Sequence, residues 1–308
     1  MFNNSIRVAV DASRNRSGGA VAHLIGLISD GEPEEYGISE VHVWAHQALL
    51  DRLPKRHWLI KHNPVLLEKS ILHQLFWQFF LFRTEFNKFN CQIVLNTDAG
   101  TISRIKPAIT MSRDMLSYEP GEMQRYSFGL SRIRLLMLRY IQNSSLKRSA
   151  GVIFLTQYAA TIIQDSCGIL QNIKLVPHGI SDHFRCSVTH ESNTIQKQNE
   201  LLLLYISNTD LYKHQWHVVK AAEILYSQGY KIKLLLVGGG SGYAQEKLNN
   251  QIDHSDPGGV VVECRSFVPH TELPELHAAA DIFIFASSCE NMPNTLIEAM
   301  AAGLPIAS

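Results

Sequence analysis

Short apolar runs alternate with segments of helical period along most of this chain, and the runs have the length of strands buried on both faces. The pattern predicts a strand over residues 6–12 and a helix over 20–28, then strands over 41–45, 93–96 and 108–111. A strand over 152–156, a helix over 158–167 and a strand over 174–176 follow. After a polar stretch at 185–200 the alternation resumes, with strands predicted at 201–206, 232–237, 260–264 and 280–286 and helices at 213–227, 243–252, 271–279 and 295–302. Such alternation predicts an α/β protein with mostly parallel sheets. We expect two Rossmann-like, doubly wound domains facing a cleft, residues 1–184 and 200–308, joined by a linker over 185–199. A further strand-like run begins at Pro305 and the chain stops at Ser308, so the second domain is expected to be incomplete.

Composition narrows the class. The chain has 308 residues, 45% hydrophobic and 18% charged, which suits a folded, water-compatible protein. Lys and Arg number 28, as do Asp and Glu, so no whole-chain field draws the protein to nucleic acid, and no nucleic-acid partner is expected. Five scattered cysteines without a Cys-x-x-Cys pair point to a reducing compartment, the cytoplasm by default. No run approaches the roughly 18 to 20 apolar residues of a membrane span, and the start of the chain lacks the pattern of a signal peptide. Two segments raise peripheral membrane contact instead: 71–89, rich in Phe and Leu around Trp77, and 132–148, which mixes Leu135 to Leu138 with Arg132, Arg134, Arg139, Lys147 and Arg148. Amphipathic surface helices ordinarily hide their apolar face, so core-packed helices with snorkelling basic residues are expected, and contact with the inner face of the membrane is the alternative.

Candidate chemistry concentrates near the end of the chain. Glu290 and Glu298 stand eight apart around a predicted strand-loop-helix junction, one in the loop and one in the helix's first turn, beside amides with no intrahelical acceptor. Thr295-x-x-Glu298 also fits a capping box, with Glu290 merely solvated. Lys213 opens a predicted helix, where its charge opposes the dipole unless an anion sits there; the other reading is a solvated lysine. Gly238-Gly-Gly-Ser-Gly242 lacks the spacing of a dinucleotide fingerprint and reads as a tight turn. His214 and His217 have ligand-like spacing but no evident third ligand, and no Asp-x-Asp occurs, so no metal or other cofactor is expected.

Taken together with Ser17-Gly18-Gly19, the segment Arg265 to Leu273, and the Ala-Met-Ala-Ala-Gly303-Leu-Pro that follows Glu298, these motifs resemble the retaining GT-B glycosyltransferases of the group 1 type, a family 4-like group. The resemblance covers nearly the whole chain through order and spacing more than through any one motif. It implies a transferase that moves a sugar from a nucleotide-sugar donor to a glycan or lipid-linked acceptor with retention of configuration. Lys213 would neutralise the donor diphosphate with help from the amides near Asn294 and Thr295, Glu290 would hold sugar hydroxyls, and Glu298 the ribose. Phe267 and Val268 would border the base, Gly18 and Gly19 would let backbone approach the phosphates, and His178 would contact the donor. There are two departures from the family pattern: Ser207 to Asp210 contains no arginine, and Arg113 stands where many relatives carry a histidine. Arg113 could bind phosphate or an acidic acceptor, or it could be a surface arginine paired with Asp114 or Glu119. An inactive binding remnant, or an epimerase or hydrolase of nucleotide sugars on the same fold, are the other classes left open.

Overall fold

The computed structural model describes residues 5–16, 18–126, 129–185 and 200–308. These residues divide into two compact units, Met1–Gly179 and Ile180–Ser308. The polar segment read as a linker lies, apart from Arg185, outside the described residues.

The first unit holds seven strands: β1 Ile6–Asp11, β2 Ile38–Trp44, β3 Leu59–His62, β4 Ile93–Asn96, β5 Ala108–Ser112, β6 Gly151–Phe154 and β7 Ile173–Leu175. Its helices are α1 Gly19–Asp30, α2 Gln47–Leu50, α3 Ile71–Phe76, α4 Phe82–Lys88, α5 Leu130–Arg148 and α6 Gln157–Cys167. The sheet is parallel throughout, in the order β3-β2-β1-β4-β5-β6-β7. Alternation along the strands divides the core in two. Val10 and Val43 pack with Val21, Leu24 and Ile28 of α1, whereas their neighbours Ala9 and Trp44 join Trp77, Phe82 and Phe86. Both faces are therefore covered, which is why the strands read as unbroken apolar runs.

The second unit carries β8 Leu201–Ile206, β9 Ile232–Val237, β10 Val262–Arg265, β11 Ile282–Ile284 and β12 Ile306–Ala307. Between them lie α7 Gln215–Ser227, α8 Tyr243–Ser255, α9 Leu273–Ala279 and α10 Asn294–Ala301. The order is β10-β9-β8-β11-β12, again all parallel. Leu203 and Tyr205 face the core shared with Val218, Val219 and Leu248 of α7 and α8, while Leu204 and Ile206 face Phe184, Leu273 and Ala299. Both units are thus doubly wound α/β folds.

Several local expectations need correcting. Residue 59–62 was not read as a strand, because Leu-Ile-Lys-His is half polar; it survives as an edge strand hydrogen-bonded only to β2. Helix α7 starts at Gln215, not at Lys213, because His214 adopts a left-handed conformation (φ 54°) and Lys213 ends a short 3-10 turn. Segments 71–89 and 132–148 are helical; the first packs Trp77, Phe82 and Phe86 into the core, as expected, but also leaves Phe76, Phe79 and Phe80 exposed, and the second buries little of its apolar surface. In α5 the buried side chains are Leu135, Gln142, Ser145 and Leu146, while Ile133, Leu136, Met137 and Tyr140 are exposed.

Candidate functional site

In the second unit, the loops that follow β8, β9, β10 and β11 lie beyond the carboxyl ends of the strands and bind one another. Thr209 donates its amide to the Gly239 carbonyl at 3.1 Å, joining the loops after β8 and β9. At Gly238 (φ 117°) a Cβ would lie 2.2 Å from the Ser207 carbonyl oxygen, so only glycine allows these loops to meet. The Ser288 amide donates to the Tyr212 carbonyl at 2.9 Å, and His214 Nε2 meets Ser288 Oγ at 2.9 Å, fastening the loop after β11 onto the same frame.

This fastening brings Lys213 and Glu290 together as an ion pair whose side chains are largely shielded from solvent. Lys213 Nζ also stands over the Tyr212 ring, 4.9 Å from its centroid. The backbone of Lys213 is anchored from below: the hydroxyl of the buried Tyr205 donates to the Lys213 carbonyl at 2.6 Å. Burial, and then the nearby Glu290 charge, push the Tyr205 phenol above its ordinary range, so it stays a donor.

Glu298 belongs to α10, whose N-cap is Pro293 and makes no side-chain capping bond. The capping box does not form: proline has already fixed the start of the helix one residue before Asn294, which leaves Thr295 inside it. Glu298 is the fifth helical residue, one residue further in than the predicted start at 295 would place it. It is buried; Oε1 accepts from His270 Nε2 at 2.9 Å, and Oε2 has no hydrogen-bond partner among the described residues. His270 is held by the ring of Phe184, edge-on at 5.2 Å. The Leu296 and Ile297 amides both reach the Pro293 carbonyl, so Asn294 and Thr295 supply the amides without an intrahelical acceptor. Phe267 projects into solvent from the loop after β10, while the adjacent Val268 packs against the core.

The first unit gathers a separate set. Gly18 (φ 66°) caps α1 and Gly19 is its first residue. The rings of His23 and His178 lie 4.5 Å apart, centroid to centroid. Burial is the main reason that His23 titrates down near 4 and His178 near 3, with the Arg113 charge adding to both and His23 adding to His178. Arg113 follows β5 and makes no ion pair with Asp114 or Glu119. Asp114 accepts from the Leu116 amide at 2.9 Å and Glu119 from the Tyr158 hydroxyl at 2.6 Å, so the surface bridge is not formed. Among the described residues no group of three or more His, Cys, Asp and Glu side chains could hold a metal ion, and His214 and His217 simply stack at 5.4 Å.

Chemically, the second unit offers a lysine and two helix-opening amides for an anion, two carboxylates for hydroxyls, and an exposed aromatic ring for a flat group. Sequence reasoning missed Tyr205 and His270. A lone hydroxyl in the aliphatic run Leu201 to Ile206 was the available signal for the first; the second had none, since nothing in the spacing of His270 and Glu298 shows that they meet.

The profile of the family described as glycosyl transferases group 1 matches residues 189–308. A 2-deoxystreptamine glucosyltransferase of Streptomyces kanamyceticus is 24% identical over 194 residues, 58% of this chain and 47% of that protein, so the chain spans about half the length of that curated relative. Among solved structures, Anabaena HepE in complex with UDP and glucose superposes with a TM-score of 0.69 at 16% identity, over 98% of this chain and 80% of that one. Sucrose-phosphate synthase from Thermosynechococcus elongatus gives 0.66 at 14% identity with the same coverage. The structural likenesses establish the fold, and the profile spans the unit that holds Lys213, Glu290 and Glu298. Over that unit the chain is similar to the glycosyl transferases group 1 family.

Proposed function

We propose that this chain is a glycosyltransferase that draws a sugar from a nucleotide-sugar donor held by the second unit. The observation that carries this reading is the Lys213–Glu290 pair set beside α10, in which Glu298 keeps one buried oxygen without a donor among the described residues. A buried carboxylate oxygen with no partner is costly, and a ribose hydroxyl would satisfy it as His270 yields. The donor diphosphate would take Lys213 from Glu290 and receive the Asn294 and Thr295 amides. Glu290, so released, would accept from hydroxyls of the sugar next to the reacting carbon. As the bond from that carbon to phosphate breaks, charge builds on the diphosphate, where a preformed cation and helix amides oppose it. Phe267 would border the base. On the first unit, Gly18, Gly19, His178 and Arg113 would bind phosphate or an acidic acceptor. Transfer to a glycan or lipid-linked acceptor with retention of configuration is the finer form of the proposal, resting on the family pattern of carboxylates that position substrate.

Ligands of the Anabaena neighbour and the glucosyltransferase activity of the curated relative make UDP-glucose the first donor to try. A thermal-shift screen across nucleotide sugars tests the reading, because a ligand that binds only the folded state raises the melting temperature by mass action. At least one nucleotide sugar should do so. A flat response across the panel at millimolar concentrations would reject it.

A further inference from the structure

Helix α5 is inverted for a water-facing element. Polar Gln142 and Ser145 are buried at 2% and 4% exposure, Gln142 accepting from Ser117 Oγ at 2.9 Å, while Leu130, Met137 and Tyr140 stand 88%, 60% and 76% exposed. Leu130, Ile133, Met137 and Tyr140 recur at helical spacing on one face, opposite Leu135, Gln142 and Leu146. A second apolar face lies on the segment from α3 to α4. Its Trp77–Leu81 turn is π-helical, which turns Gln78 inward to donate to Asp11 at 2.8 Å and leaves Phe76, Phe79 and Phe80 exposed beside Leu72. Basic groups join the two faces. Arg104 lies 4.9 Å from the Phe79 ring centroid, and it is near enough to Arg148 for their charges to repel, with Tyr140 beside Arg148.

Helix α5 has no acidic residue; by helical spacing Arg134, Lys147 and Arg148 lie toward the exposed face, while Arg139 turns to the other side, where it donates to Ser166 Oγ at 2.8 Å and lies over the Tyr118 ring. We infer that this face of the first unit docks on the surface of an anionic lipid bilayer, its exposed Leu, Ile, Met, Phe and Tyr side chains entering the headgroup boundary and its arginines meeting lipid phosphates. Charge chooses this occupant over the others. A second copy placed face to face across a twofold axis would set Arg134, Lys147 and Arg148 against the same three charges, with no acidic residue of the helix to pair them. Nucleic acid would match the charges but leave the apolar centre against phosphate. A bilayer of anionic lipid matches both at once. The inference concerns only the first unit and does not depend on what the second unit binds.

The test is co-sedimentation of the full chain with vesicles of phosphatidylcholine alone and of phosphatidylcholine mixed with phosphatidylglycerol. Binding should appear with the anionic vesicles and weaken as salt rises. Arg134→Gln should weaken it about fivefold, and Ile133→Ser with Met137→Ser by at least about tenfold. Because these side chains already face water, neither variant should move the melting temperature or nucleotide binding. No binding by the unmodified chain, or equal binding to both vesicle types, overturns the inference. So does a serine variant that melts several degrees lower, since the face would then be interior. A dimer in light scattering that the serine variant disperses, with vesicle binding unchanged, would assign the face to self-association instead.

Discussion

Removing Lys213 separates a salt bridge from a binding site. In Lys213→Ala the Glu290 carboxylate, about one-fifth exposed, loses its cation. Exposed pairs contribute about 0.5 kcal/mol, and breaking a fully buried pair costs about 3–5 kcal/mol; the intermediate burial here places the cost near 2 kcal/mol. Glu290→Gln strands the lysine instead and should cost somewhat less, because the long side chain can turn to water. Combining the two removes both charges and should recover part of the loss, leaving a coupling of about 1 kcal/mol in the double-mutant cycle. Ligand binding should behave differently. A charge-assisted hydrogen bond contributes about 1.5–3 kcal/mol, so losing Lys213 should weaken a nucleoside diphosphate by about 3 kcal/mol, or roughly 150-fold, and Glu290→Gln should not restore it. Urea unfolding and calorimetric titration of the four proteins provide both readouts. If the double variant recovered nucleotide affinity along with stability, or if Lys213→Ala bound as tightly as the parent, the lysine would be a structural bridge and no phosphate ligand.

Other outcomes follow from neighbouring geometry. Gly238→Ala places a methyl group 2.2 Å from the Ser207 carbonyl at a positive φ, so unfolding experiments should show a loss of at least about 2 kcal/mol; a change within about 0.5 kcal/mol would mean the loop yields freely. Tyr205→Phe deletes the hydroxyl that fixes the Lys213 carbonyl; it should cost about 1 kcal/mol of stability and weaken nucleotide binding without abolishing it, and unchanged binding would show that Lys213 does not depend on this anchor. Burial, the His42 interaction and Lys88 hold His62 near 4, below the unfolded value near 6.5. Stability associated with its neutral form is present above pH 6.5 and is lost as pH falls from there through about 4, because the unfolded chain takes the proton first. His62→Phe should flatten the fall in urea midpoint between pH 7 and pH 5 relative to the parent; parallel curves would refute the assignment.

The central strands were legible because a strand covered on both faces shows little but apolar side chains: β4, β8 and β9 begin and end where their sequences predict. The edge strand Leu59–His62 was not, since an edge tolerates Lys61 and His62 and so loses the pattern. The candidate residues after β8 and β11 were visible as charges beside predicted helix starts. Their partners were not, because Lys213 meets Glu290 and His270 meets Glu298 across 77 and 28 residues of sequence. One residue decided each local error: left-handed His214 postpones α7, and Pro293 starts α10 early enough to leave Thr295 inside it. The apolar and basic residues of 132–148 located the helix but not how much of it is covered, since periodicity shows which residues share a side and not which side meets water.

Calorimetric titration of a nucleoside diphosphate against the parent chain and Glu298→Ala tests the donor site most directly, with inorganic pyrophosphate as the control ligand. The parent should bind the nucleoside diphosphate more tightly than pyrophosphate, and Glu298→Ala should erase most of that difference while leaving pyrophosphate affinity nearly unchanged, because its carboxylate would hold the ribose and not the phosphates. A parent chain that binds no nucleoside diphosphate, or a variant that keeps the full preference for it over pyrophosphate, would contradict a nucleotide-sugar site on the second unit built around Glu298.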